Sequence, residues 1–192
     1  MWRFNKGKFI EALLFLALNT KHFGITKAVK LLFLADVEHF RRYGRPLIGD
    51  EYRPEKYGPL SIHAFNILAS NRDGEANDLE GTVKFRSGIV WQHTRDEIVP
   101  IRREVDKNIF SESDLEILSE IAAEYKEKEA EEIKREIYKS ELWGEIIKKG
   151  EFEYLDALKE SDDRSISREY IESILAEEKE FSKLFVENGI QR

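Results

Sequence analysis

KLLFLADVEHFRRYGR, residues 30–45, is a hydrophobic run that ends in charge and meets a Gly-Arg-Pro turn. Helical spacing places Val29, Leu32, Phe33, Asp36, Val37 and Phe40 on one broad face of a helix over about Lys27 to Tyr43. Lys30, Leu34, Glu38 and Arg41 fall elsewhere on that helix, and Gly44-Arg45-Pro46 stops it. A second string, EKYGPL at residues 55–60, follows a short interval in which Leu47, Ile48 and Tyr52 suit either a strand or an extended arm.

Upstream, Phe9, Ile10, Leu13, Leu14, Phe15, Leu16 and Leu18 cover nearly the whole circumference of a helix from about Lys8 to Asn19. A helix apolar all round is a buried central helix. Gly24 is expected to break the chain in a left-handed cap, with Thr26 capping the next helix. Downstream, Pro59 fits the first turn of a third helix that runs from Leu60 to Ser70.

Residues 82–86 alternate cleanly, Ser87-Gly88 reads as a two-residue turn, and Ile89 to His93 returns, which predicts a β-hairpin. Glu97 to Ile101 offers a third strand, with Pro100 placing it at an edge. From Ser111 onward the pattern is helical, opened by a Ser113/Glu116 capping box. Its last amphipathic helix spans about Ser167 to Glu187, packing through Tyr170, Ile171, Ile174, Leu175, Phe181, Leu184 and Phe185. The expectation is a mainly α protein of α+β type, one domain over residues 1–192, with a motif core at 26–70, a small antiparallel hairpin or three-stranded element at about 81–101, and C-terminal helices over 111–192.

The 192 residues are enough for one sizeable core, and 36% charged residues, against about 25% in an average protein, point to charged helix surfaces. With no cysteine, disulfides, thiol catalysis and cysteine-ligated zinc are excluded. The apolar stretch Phe9 to Leu18 contains Glu11 and falls short of the ~20 residues a membrane span needs. An unprocessed, cytoplasmic protein is expected. Charge is uneven: residues 1–110 carry 18 Lys/Arg against 14 Asp/Glu, residues 111–192 carry 13 against 24, and the net charge is −7.

Asp36 and His39 lie three apart on one helix face, close enough to hydrogen-bond or share a metal. Catalysis or metal binding there would need further ligands, and no histidine sits at HExxH-like spacing. The expected role of Asp36 is instead that of a semi-buried carboxylate, accepting hydrogen bonds from the Tyr57-Gly58 turn or pairing with an arginine. Arg41, Arg42, Arg45 and Arg53 surround the end of that helix. Favourable interaction with the helix dipole explains Arg41 and Arg42. Alternatively the four arginines, interleaved with Tyr43, Tyr52 and Tyr57, form a binding surface of the Arg/Tyr type common at hot spots. For Tyr57-Gly58-Pro59 a structural role is favoured, although the N–H groups of the following helix start would also suit an acid from a partner or from Asp50 or Glu51. Nucleotide-binding glycine motifs are missing, and no catalytic residue, metal or cofactor is expected.

Lys30, Leu31, Leu32, Leu34, Ala35, Asp36, Tyr43, Gly44, Pro46, Gly49, Tyr57, Gly58 and Pro59 together make a pattern that resembles the Panacea domain, the SocA-like antitoxin family of bacterial and phage toxin-antitoxin modules. The resemblance is sharp from Val29 to Leu68 and returns weakly from Ser111 to Leu158, where Trp143 precedes a turn at Gly150; relatives often carry a histidine shortly before that tryptophan, whereas this chain reads Tyr138-Lys139-Ser140-Glu141-Leu142. It implies a non-enzymatic protein that neutralises a cognate toxin by binding it, the toxin being encoded by an adjacent gene. Under this reading Asp36, His39, Tyr57, Gly58, Pro59 and Trp143 are structural, and Arg41, Arg42, Arg45, Tyr52, Arg53 and Lys56 face the partner. The alternative is a nucleic-acid-binding regulator with a winged-helix-like N-terminal half, disfavoured because residues 60–70 contain no Lys or Arg.

Overall fold

The computed structural model describes residues 2–90, 93–158 and 166–187. Among these, seven α-helices and two separate antiparallel strand pairs follow in the order α1 (Lys6–Asn19), α2 (Ile25–Tyr43), β1 (Tyr52–Glu55), β2 (Gly58–Ser61), α3 (Ile62–Arg72), β3 (Val83–Val90), β4 (His93–Pro100), α4 (Glu112–Glu124), α5 (Ala130–Lys139), α6 (Glu141–Lys149) and α7 (Arg168–Glu187). The mainly α expectation with a small β element holds.

As its all-round apolarity requires, α1 runs through the core, with Phe9, Leu13, Leu14 and Leu16 fully buried. Asn5 caps it by accepting the Lys8 N–H at 3.0 Å, and the Thr20 hydroxyl donates to the Leu16 carbonyl at its end. The next helix, α2, packs against α1, α3, α4, α5 and β2, which is why its polar residues Lys27, Lys30, Asp36 and His39 are buried along with its apolar face. Gly44, at φ +68°, ends it in the left-handed region.

Several boundaries differ from the sequence reading, each for a physical reason. Gly24, not Thr26, caps α2, and its φ of −116° is extended rather than left-handed. The glycine is required by proximity: a Cβ there would overlap the Asp96 carbonyl oxygen, because β4 crosses at this point and the Ile98 N–H donates to the Phe23 carbonyl at 2.7 Å. Pro59 belongs to β2 rather than to a helix start, and it pairs with Pro54. A strand pair with no N–H on either side is tolerated at a non-hydrogen-bonded position of the ladder. The arm at residues 47–51 bends at Leu47 and Ile48, passes through Gly49 at φ +72° and leads into β1, and α3 begins only at Ile62.

Ser87 and Gly88 lie within β3, opposite Asp96 and Arg95, so they do not form the hairpin turn. The pairing continues to Val90 opposite His93, and the expected position of Trp91 in the return strand lies outside the described residues. Residues 97–101 therefore do not make a third strand; 97–100 are the second half of β4. The capping box of α4 is Ser111 with Asp114, two residues earlier than the expected Ser113 with Glu116. On α7, Ile171 is buried and Tyr170 is 55% exposed, while the side chains of Phe181, Leu184 and Phe185 lie outside what is described. Among the described residues, no helix is long and apolar enough to cross a membrane.

Because the obstruction at Gly24 is backbone rather than a movable side chain, Gly24→Ala should lower unfolding free energy by about 1–3 kcal/mol, as overpacking does, read as a lower urea midpoint.

Candidate functional site

The LFLAD segment in the middle of α2 carries a carboxylate into the core. Asp36 is fully buried, and its oxygens accept from the backbone N–H groups of Ile48 (2.7 Å), Gly49 (3.4 Å) and Asp50 (3.2 Å) and from the hydroxyls of Tyr52 (2.9 Å) and Tyr154 (2.7 Å). The partners are thus the 48–52 arm and a 3-10 turn at Tyr154–Ala157, not the Tyr57-Gly58 turn or an arginine. Burial pushes the Asp36 carboxyl up, opposed by these bonds, while burial beside Asp36 pushes the Tyr52 and Tyr154 hydroxyls far above their usual range, so both remain donors. Tyr52 is 3% exposed and belongs to this hub, which removes it from the partner-facing set.

His39, expected beside Asp36, takes different partners. Its Nδ1 lies 2.7 Å from the Arg45 carbonyl oxygen, and its Nε2 lies 3.0 Å from Asp114 and 3.1 Å from the Ser113 hydroxyl. Asp114 is the fully buried N3 residue of α4 and also receives Lys8 (2.6 Å) and Arg45 (3.0 Å). Burial would raise its carboxyl, but the hydrogen bonds from His39, Lys8 and the Ser111 N–H outweigh that and hold it well below the carboxylate range.

The arginine cluster is likewise spent inside the molecule. Arg45 clamps Asp114, Ser111 and Ser113 at the start of α4. Arg42 pairs with Glu38 (2.7 Å) on its own helix and with Glu116 (3.5 Å) and Glu120 (2.7 Å) on α4. Arg41 donates to the Ala157 carbonyl at 2.7 Å. These three side chains tie α2 to α4 and to the 154–157 turn, so they do not form an open Arg/Tyr surface. Only Arg53, paired with Glu51, and Lys56 stay exposed among the predicted partner-facing residues.

What remains outward is the apex of the β1–β2 hairpin. Gly58, at φ +106°, completes the turn, and Tyr57 stands 64% exposed. Lys56 Nζ and Lys134 Nζ lie 5.5 and 5.0 Å from the centre of the Tyr57 ring, within cation–π range. Lys134 also lies 5.6 Å from the ring of Tyr138, whose hydroxyl donates to the Lys56 carbonyl and whose ring stacks on the buried Trp143 at 5.7 Å and 4°. Trp143 thus supports this surface from below. Sequence spacing could not join Tyr57 to α5, and it gave no sign that Lys30 is buried beside Gly58.

On another face, a cavity of about 710 Å³ is walled by Trp2, Phe4, Tyr52, Phe152 and Tyr154. Asp50 and His63 meet at its edge, Nδ1 to Oδ1 at 2.8 Å, with Phe4 stacked on the imidazole. Asp50 also receives the His63 and Ala64 N–H groups and the Ser61 hydroxyl, so it is the acid that caps α3. Among the described residues, no cluster of three or more His, Cys, Asp or Glu side chains is arranged to hold a metal.

Asp36→Ala strands several buried donors at once. It should cost more than the ~1–3 kcal/mol of one orphaned donor, and Tyr154→Phe about 1 kcal/mol, by chemical denaturation. Asp114 supplies stability only while ionised. Because its folded value lies below the ordinary 3.8, that contribution is complete above 3.8 and fades as pH falls below it. The stability difference between wild type and Asp114→Asn should therefore shrink in urea titrations as pH falls from 6 towards 2.

The sequence model of the family described as antitoxin SocA-like, Panacea domain, matches residues 29–144, which run from α2 into α6 and include the Asp36 helix, the Tyr57 hairpin and the Tyr138–Trp143 stack. Neither a curated protein nor a solved structure gives a match. With more than half of its residues inside that span, the chain belongs to the SocA-like antitoxin family and carries the Panacea domain.

Proposed function

We propose that the protein is an antitoxin that neutralises a protein toxin by direct, non-enzymatic binding, and that it docks the toxin on the Tyr57 hairpin and the adjoining side of α5. The observation that carries this reading is the 64% exposure of Tyr57 at the apex of a motif whose other members are buried or bonded internally. An aromatic ring ordered by flanking lysines loses little conformational freedom on binding, and tyrosine is enriched at the centres of binding hot spots. The nearby Arg53 and Lys56 add positive charge to the same apex. The toxin is the product of an adjacent gene, and both proteins act in the cytoplasm, in keeping with a chain that contains no cysteine.

Co-expression of the full chain with the neighbouring open reading frame tests the reading. The neighbour should be toxic alone, harmless together with this protein, and retained by it in a pull-down; a harmless, non-associating neighbour would sink it. Tyr57→Ala should leave stability within about 0.5 kcal/mol, as surface substitutions do. It should also weaken the complex by a factor of about 30, the scale of a hot-spot residue worth ~2 kcal/mol. Arg45→Glu should do the reverse of a surface change and lower the urea midpoint, because it repels Asp114 at the start of α4.

A further inference from the structure

Lys30 is 3% exposed, yet its ammonium has no hydrogen-bond or ion-pair partner among the described residues. Its neighbour on the same helix shows how a buried lysine is normally satisfied: Lys27 Nζ donates to the Lys21 and Lys128 carbonyl oxygens, each at 2.7 Å. Lys30 has no such cradle. Glu131 acts on it only through space and is itself paired with Lys134 at 3.4 Å. Burial pushes the Lys30 ammonium down to about 8, partly offset by Glu131 and reinforced by Lys134. A buried cation with no hydrogen-bonded partner is a cost that packing alone does not explain.

The amine lies beside Gly58, behind the hairpin apex. A Cβ on Gly58 would sit 3.9 Å from Lys30 Nζ and 3.8 Å from Tyr138 Cε1, so the missing side chain at Gly58 leaves the ammonium between the hairpin apex and α5. Tyr138 is 38% exposed, and Lys56 and Lys134 flank the same spot over the Tyr57 ring. Two ammonium groups therefore flank the Tyr57 ring and a third lies beside Gly58, in a chain of net charge −7.

We infer that the Tyr57–Gly58 apex, Tyr138, Lys56, Lys134 and the unpartnered Lys30 form a receptor for a carboxylate, supplied by an Asp or Glu side chain of the protein partner. This deepens and rests on the antitoxin reading. The incoming acid passes between Tyr57 and Tyr138 and gives Lys30 its counter-charge, while the rings cover the ion pair from water. The patch suits the carboxylates of a peptide or protein better than a nucleic acid. Beyond the three lysines, Glu131, Glu132 and Glu136 on α5 would repel a nucleic-acid backbone.

Lysine-selective NMR of the full chain, with a blocked tetraglutamate peptide as probe and blocked tetraglutamine as control, tests the site without the toxin. Tetraglutamate should shift the Lys30 ε-methylene resonance saturably and tetraglutamine should not. Lys30→Met should lower tetraglutamate affinity at least tenfold while leaving the melting temperature equal to or above that of wild type, the opposite of losing a structural ion pair. An unmoved Lys30 resonance in the wild type overturns the proposal whether or not the variant folds. A tetraglutamate affinity unchanged by Lys30→Met also overturns it, as does an equal Lys30 response to inorganic phosphate or duplex DNA. Toxin co-expression separates the two readings. Wild type that fails to neutralise defeats the antitoxin reading but not a site that binds tetraglutamate, whereas Lys30→Met that neutralises as well as wild type defeats only the carboxylate receptor.

Discussion

The fold turns on a carboxylate taken out of water. Asp36 sits on a 19-residue helix that runs through the core, and burying it is tolerable only because five donors converge on its two oxygens. Three of those donors are consecutive backbone N–H groups, so satisfying the charge fixes the course of residues 48–50 across α2. That course in turn delivers Asp50 to the start of α3, where it caps the helix, and sets Tyr52 at the beginning of β1. The position of the exposed hairpin is therefore a consequence of how one buried charge is solvated by protein.

A second buried carboxylate, Asp114, organises the C-terminal end of α2. It collects His39, Arg45 and Lys8 and so joins α1, the loop after α2, and α4. The two acids divide the polar residues of the motif between them, which explains why Asp36 and His39 share a helix face in sequence but no chemistry in space. It also explains the arginines. Arg42 and Arg45 lie where α4 brings acidic residues against them and neutralise internal charge, which leaves Arg53, Lys56 and Tyr57 facing outward at the hairpin.

Helical periodicity made α1, α2 and the helical C-terminal part legible, because a wide apolar stripe admits few other conformations. The β1–β2 hairpin was not legible: Pro59 is equally at home at a helix start and in a strand position that lacks a ladder bond, and the choice is made by Pro54 across the turn. Ser87-Gly88 misled as a turn because the hairpin register is set by the pairing of residues 83–90 with 93–100, not by local turn preference. The resemblance gives Tyr57 a structural role, and its exposure beside Lys134 and Tyr138 was not legible in the motif. Tyr138 and Lys134 are about 80 residues distant, and the partners that bind Arg41, Arg42 and Arg45 inside the fold also come from α4 and the 154–157 turn.

Tyr154 gives the Asp36 hub a temporal dimension. The hydroxyl that approaches Asp36 most closely from outside the arm is supplied 118 positions further along the chain. A ribosome releases α2 and the arm long before it releases that tyrosine, so the donor set of Asp36 cannot be complete in the nascent N-terminal part. It is complete only once translation has passed residues 29–144, the span that the family model matches, and reached the 154–157 turn.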